Sequence, residues 1–587
     1  MTLVVRKHID ELLTGASRTL LENDILPSYL QKRRWFGYKD GKLAHVRIAV
    51  ATRLPREGRP LLMVEVETDA ERGGVERASG RAVDRYLLPF GFFGEDESVS
   101  ALPLQLALAR VRHGRQVGYL TDAFALADFA HHIVHLLTQR ARVPSDEGVV
   151  HFEPTALLDE LLPQLDARGG NSGGSSGGSS GGGGTGAGVR WLSAEQTNSS
   201  LVIGDAAVLK VVRRIVPGVN PEAEMTRLLS ERGFANASSL LGEVTRIGAD
   251  GTPHLLIVLQ RYVHNQGDAW QWTLNVLSRV FRQTTISLPA ASSGSAASGE
   301  AIAPDTVDAA RDKSETLEAS ALAELEVGAT VLGKRLGQMH AMLAQASDNP
   351  AFAPERVDAG MAQSWGKAAI VQIDAALDVL AERLRVDDST WSAAERETAA
   401  DLVKKRAAFT RAASKLARHA TGSLAMRIHG DFHLGQVLVT QGDAVIIDFE
   451  GEPAKPLEQR RAKMSPLRDV AGLLRSIDYA AAMGQKTGPA DVGEAGEAKK
   501  RDIVARYLPA AKKAFLMAYR EQAARIDHRW DHADGEDALL DLFTIEKAAY
   551  ELCYEAANRP TWIIVPLAGL AQWAATLLSP SRGTERD

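Results

Sequence analysis

Met426-Arg427-Ile428-His429-Gly430-Asp431-Phe432-His433-Leu434-Gly435-Gln436, followed by Val445-Ile446-Ile447-Asp448-Phe449-Glu450, is the part of the chain from which its fold can be read. An apolar run enters a turn that holds an Asp, an amide side chain stands five residues further on, and a short hairpin brings an acidic pair back. Phosphoryl transfer needs such a set, a carboxylate to orient the acceptor hydroxyl and oxygen ligands for the Mg²⁺ of a nucleotide. Asp431 is the candidate base. Gln436, Asp448 and Glu450 are candidate metal ligands, the last two carried back by Val437-Leu438-Val439, the turn Gln441-Gly442-Asp443 and the run Ala444 to Ile447. Alone, His-Gly-Asp is ordinary turn chemistry and Asp-Phe-Glu an ordinary strand end. Their order and the 12 positions from Gln436 to Asp448 make a phosphotransferase the better account.

A protein kinase has the same skeleton, His-Arg-Asp with Asn five residues on and then Asp-Phe-Gly, and the chain resembles the small-molecule branch of that fold. The fold class expected is α+β, bilobal and protein-kinase-like (aminoglycoside phosphotransferase-like), with an N-terminal cap and a mostly helical C-lobe. Such a site needs an upstream nucleotide lobe with a strand-borne Lys and a helix-borne Glu. Ser200-Leu201-Val202-Ile203, Gly204-Asp205-Ala206 and Ala207 to Val212 read as a hairpin with Lys210 in its second strand. Pro221 opens a helix capped by Asn220, and Glu224 is the expected partner of Lys210. No Gly-x-Gly-x-x-Gly precedes Leu201, so small polar residues of Ala194 to Ser200, Ser199 and Ser200 among them, are expected to cradle phosphate. Leu255 to Val263 reads as a buried strand leading to a hinge, with Gln260, Tyr262 and Val263 beside the adenine.

Longer pieces are similar to the bacterial maltokinases, ATP-dependent enzymes that make maltose 1-phosphate and are often fused to trehalose synthase. The pieces are Arg33-Arg34-Trp35-Phe36-Gly37, Pro217-Gly218-Val219-Asn220-Pro221, Gly267-Asp268-Ala269-Trp270, His429 to Gln436, Asp448 to Pro453, Ser465 to Gly472, and Asn558-Arg559-Pro560 with Trp562. The resemblance implies transfer of the γ-phosphate of MgATP to the anomeric hydroxyl of maltose, with Asp431 as base and Gln436 and Asp448 on the metal. Possible association or fusion with trehalose synthase and a place in α-glucan synthesis follow from the same resemblance. Sugar sites combine aromatic faces with polar side chains, and Glu546, Tyr550 and Tyr554 recur every four residues on one predicted helix. Candidate acceptor contacts are these three with His429, His433, Arg468 and Asn558, although Arg468 and Asp469 read more naturally as braces of the lobe. Other acceptors, glucosamine, an aminoglycoside or choline, stay open, as does a pseudokinase scaffold, which the presence of Lys210, Asp431, Gln436 and Asp448 argues against.

Composition bounds the rest. The 587 residues predict several domains, and 68 basic against 74 acidic side chains leave a net charge of −6 with no dominant basic run, so nothing favours nucleic acid. One cysteine, Cys553, excludes an intrachain disulfide and suits a reducing cytoplasm. The charged N-terminal stretch does not read as a signal peptide, and Trp562 to Leu578, interrupted by Pro566 and Gly569, reads as a buried helix rather than a membrane span. The expected organisation is an α+β cap over residues 1–90, a segment completing it over 91–168, a Gly/Ser linker over 169–188, a nucleotide lobe over 189–265, and a C-lobe over 266–587 with a disordered insertion at about 289–315. Trp35 and Phe36 are expected in the cap core, and His340 is expected as a packed helix residue.

Overall fold

The computed structural model describes residues 2–6, 8–37, 43–70, 83–97, 99–166, 188–192, 197–286, 304–386, 391–489, 492–526 and 534–577. The Gly/Ser tract and the Ala290 to Gly299 insertion lie outside them, apart from Gly188. A helix begins at Pro304, so the loop expected to run to about 315 ends earlier.

The chain forms two compact units, Met1–His264 and Asn265–Asp587. The first holds two sheets. One runs in the order Thr2–Val5, Ala107–His113, Gln116–Asp122, Phe90–Gly94, Leu62–Ala70, Val83–Leu87, Arg214–Ile215, with Leu43–Arg53 also paired to Leu62–Ala70. The other runs Val189–Trp191, Ser199–Ile203, Ala207–Val211, Pro253–Arg261, Leu240–Ile247, Gly148–Pro154, Arg142–Ser145. Residues expected to extend the cap thus divide between the sheets. Phe36 is buried at 1% exposure, with Trp35 packed on the same cluster.

The expected hairpin is present, with Ile203 opposite Ala207 and Ser200 opposite Lys210. Its tight reversal needs positive φ at consecutive residues, and Gly204 (φ 56°) and Asp205 (φ 50°) supply it. Asn220 caps the helix Pro221–Glu231, its Oδ1 accepting the Glu222 N–H at 2.9 Å.

A buried ion pair ties the sheets of this unit together. Arg213 and Asp122, each 1% exposed, meet at 2.7 Å. Arg213 also donates to Ser199 Oγ and the Leu87 carbonyl, and its guanidinium lies over the Trp35 ring. Charge this deep persists only when paired and fully hydrogen-bonded.

The second unit is mainly helical. Leu542, Ile545, Ala549 and Leu552 of the helix Gly535–Asn558 repeat at helical spacing and pack with Ile373, Leu377 and Leu380 of the helix Ala359–Arg385. Each such aliphatic burial contributes about 1.5–3 kcal/mol, enough to fix the rotation of the helix. With that stripe inward, helix geometry turns Lys547, Tyr550 and Tyr554 to the opposite side. The helix Leu467–Thr487 likewise buries Val470, Leu473, Leu474 and Ile477. The C-terminal helix Ile564–Leu577 buries Leu567, Leu570 and Ala574. Among the described residues no helix is long and apolar enough to cross a membrane.

Candidate active site

The loop that carries Asp431 is laid along one face of the helix Leu467–Thr487. Asp469, Gly472 and Ser476, at helical spacing, each meet it: Asp469 accepts the amides of His429 (2.8 Å) and Gly430 (2.9 Å), and Ser476 Oγ accepts that of Leu434 (3.1 Å). A Cβ at Gly472 would stand 2.6 Å from the Phe432 carbonyl oxygen, so only glycine permits this approach. His340, fully buried, touches the same Asp469 carboxylate at 3.1 Å and Tyr519 at 3.1 Å. Burial works against the Asp469 charge, but His340 and the loop amides hold its carboxyl below the usual range.

His429 is buried and serves the loop, where an acceptor contact was expected. Its Nε2 donates to the Ile447 carbonyl at 2.9 Å and its Nδ1 faces the Asp431 amide at 3.4 Å, while its ring packs on Phe432 and Phe449. His433 caps the short turn Leu434–Gln436 through Nδ1, which accepts the Gly435 amide at 3.1 Å. Burial holds its imidazole below the usual range, with Asp431 pulling the other way.

The hairpin pairs Val437 with Ile446 and Val439 with Ala444. Its outer edge is covered by Gln266, whose amide reaches the Val439 carbonyl, and by Gly267, whose carbonyl accepts the Val439 amide. Arg335 grips the turn through Asp443 with two contacts of 2.6 Å. Asp448 emerges at φ 67°, a left-handed conformation uncommon outside glycine. There its Oδ2 accepts from Gln436 Nε2 at 2.9 Å, so the two expected metal ligands are neighbours. Glu450, half-buried, lies two residues on, and its carbonyl accepts from Arg460 at 3.4 Å.

The helix Gly535–Asn558 brings a second set of groups to Asp431. Lys547 Nζ stands 3.5 Å from Asp431 Oδ1 and 5.0 Å from the centre of the Tyr550 ring. Burial first, then the Glu452 carboxylate hydrogen-bonded to it, raise the Tyr550 phenol well above its ordinary pKa. Tyr550 and Tyr554 stack at 6.4 Å, Tyr554 being 45% exposed. Glu546 is held by Arg468 in a bidentate pair of 2.9 Å contacts, the bracing role expected of Arg468. Asn558 is exposed and donates back to the Tyr554 carbonyl of its own helix. Lys547 and Glu452 were not singled out from the sequence, although Lys547, Tyr550 and Tyr554 share a face at spacings of three and four, which is a readable signal.

In the first unit, Lys210 lies mid-strand opposite Val258, on the face that also carries Ser200 and Gln260. Gln260 is buried and donates to Glu222 Oε1 at 2.8 Å. Glu222, also absent from the sequence reading, is therefore the buried carboxylate of its helix, whereas Glu224 is half-buried. Ser199 is committed to Arg213, at 2.7 Å. Tyr262 donates its amide to the Ala206 carbonyl, its hydroxyl accepts from Arg190 at 3.2 Å, and Val263 follows half-exposed.

Residues 29–125 match the maltokinase N-terminal cap domain, and residues 315–451 match the phosphotransferase enzyme family. Over these two stretches the chain is similar to those families. Among curated relatives, the glucosamine kinase of Streptacidiphilus jiangxiensis is 27% identical over 389 residues, 65% of this chain and 72% of the relative. That of Mycolicibacterium smegmatis is 25% identical over 383 residues, 65% and 79% respectively. A solved glucosamine kinase in complex with glucosamine, ADP and inorganic phosphate has a TM-score of 0.57 at 20% identity, covering 95% of this chain and 99% of that one. A second crystal form scores 0.57 at 21% identity, covering 96% and 99%. The fold is that of an aminoglycoside phosphotransferase-like kinase with an N-terminal cap, and the protein is a small-molecule phosphotransferase of the kinase type.

Proposed function

We propose that the protein transfers the γ-phosphate of ATP to the anomeric hydroxyl of maltose, forming maltose 1-phosphate. The observation that carries this reading is the Asp431 carboxylate, held on a loop fastened by Asp469 and facing Lys547 and Tyr550, with the Gln436–Asp448 pair on the adjoining hairpin. The maltokinase-type cap over residues 29–125 supports the choice of sugar.

Asp431 orients the anomeric hydroxyl and accepts its proton late in a loose transition state. The sugar oxygen forms its bond to the γ-phosphorus as the bond to the β–γ bridging oxygen breaks, and ADP leaves with that electron pair. An anomeric hydroxyl is more acidic than an ordinary alcohol, so an ordinary carboxylate suffices. Lys210 contacts the nucleotide phosphates in this reading. Gln436 and Asp448 are neighbouring hard oxygen donors, fitting the one or two protein ligands Mg²⁺ takes when phosphates complete its shell, with Glu450 beside them. Bound there, Mg²⁺ supplies neutralisation of charge on the phosphates.

Glucosamine is the second reading, favoured by the named relatives. Release of ADP with maltose, glucose, glucosamine or an aminoglycoside as acceptor tests the choice, with the position of the new phosphate read by phosphorus NMR. Turnover of maltose to an anomeric phosphate supports the first reading. Turnover of glucosamine with none of maltose overturns it.

A further inference from the structure

We infer that Lys547 is a specificity-determining residue that excludes cationic acceptors, so that the acceptor is an uncharged sugar. The inference deepens the proposed function and rests on Asp431 being the base. Three carboxylates surround the Tyr550 face, and each has its own cation: Asp431 has Lys547 at 3.5 Å, Glu452 has Lys455 at 2.6 Å, and Glu546 has Arg468 through two contacts of 2.9 Å. The Lys547 and Arg468 charges also act on Glu452. A protonated amine entering this region meets carboxylates already neutralised, and the ammonium beside the base repels it over a few ångströms.

Lys547 is not a packing residue. It is 28% exposed in its side chain and projects from the side of the helix opposite the buried Leu542, Ile545, Ala549 and Leu552 stripe. Its charge also reaches the buried Glu551 carboxylate, whose hydrogen-bonded partner is Arg475. A neutral polyol, by contrast, can use what the face offers: an aromatic surface from Tyr550 and Tyr554, and donors and acceptors in balanced number.

The test compares kcat/KM for maltose, glucose and glucosamine, with ATP, in the full-length parent, Lys547→Gln and Lys547→Arg. The parent should favour glucose over glucosamine, the two differing by hydroxyl against ammonium at one carbon. Lys547→Gln should narrow that ratio by about tenfold or more, and Lys547→Arg should restore it. A merely structural lysine would change the rate with both sugars alike and leave the ratio where it was. A parent that prefers glucosamine, or an unchanged ratio in Lys547→Gln, overturns the inference. If the ratio is unmoved while maltose is phosphorylated, the proposed function stands and only the inference fails. If maltose is inert but glucose is preferred to glucosamine in a Lys547-dependent way, the inference stands and maltose is replaced by another neutral sugar. If no sugar is turned over, both fall.

Discussion

Asp469 accepts the amide of Gly430 at 2.9 Å, joining a buried carboxylate of one helix to the turn that presents Asp431, the proposed base. Its other oxygen takes the His429 amide and His340. Removing this carboxylate leaves two buried amides and an imidazole without their acceptor, a loss of about 3–5 kcal/mol by analogy with breaking a buried pair. Asp469→Ala should show that destabilisation in chemical denaturation, together with a fall in kcat. Unchanged stability would mean the loop holds itself.

The same group gives a pH signature. Its folded pKa is depressed, so its stabilising contribution is complete above the ordinary Asp value of about 3.9 and is lost as pH falls below that value toward the folded pKa. Denaturation midpoints measured down to about pH 3 should fall less steeply in Asp469→Asn than in the parent, within that acid window. Parallel profiles would remove Asp469 from the acid response.

Asp431→Asn keeps the shape of the side chain and removes its basicity. The turnover number should drop roughly 10²–10⁴-fold, with ATP affinity by titration little altered. Wild-type turnover would dismiss Asp431 as the base.

Asp448 is held at φ 67°, where a glycine would sit without strain. Asp448→Gly should therefore keep folding stability within about 1 kcal/mol of the parent, or exceed it, while activity collapses and cannot be recovered by added Mg²⁺. A variant less stable but fully active would reverse that account of the backbone.

In the first unit, Arg213 and Asp122 form an ion pair with 1% exposure on both sides. Arg213→Met should cost about 3–5 kcal/mol in thermal or chemical unfolding because Asp122 would be left charged in the core. A neutral substitution would show that Tyr29 and the Phe124 amide, which also reach Asp122, suffice.

Much of this architecture could be read from local pattern. The Lys210 hairpin, the Asn220 cap and the return from Gln436 to Asp448 depend on residues within a dozen positions of one another, where turn chemistry and strand alternation speak directly. The contacts that fasten these pieces were not legible. Asp469 and His340 are 129 positions apart, and Arg213 and Leu87 are 126 apart. His340 reads as a packed residue and Asp469 as a brace, but only the packed fold shows which group each one meets. Glu222 illustrates the same limit: helical phase alone did not favour it over Glu224, and it is the partner strand's Gln260 that marks it as the buried one.

The proposed base and its surroundings hang from different helices, Asp431 from Leu467–Thr487 and the Lys547–Tyr554 face from Gly535–Asn558. Grafting a foreign catalytic turn would require transplanting residues 340 and 469 with it, whereas the outward positions of the later helix can be randomised as an independent library. Directed evolution of acceptor choice can thus proceed without disturbing the mounting of Asp431.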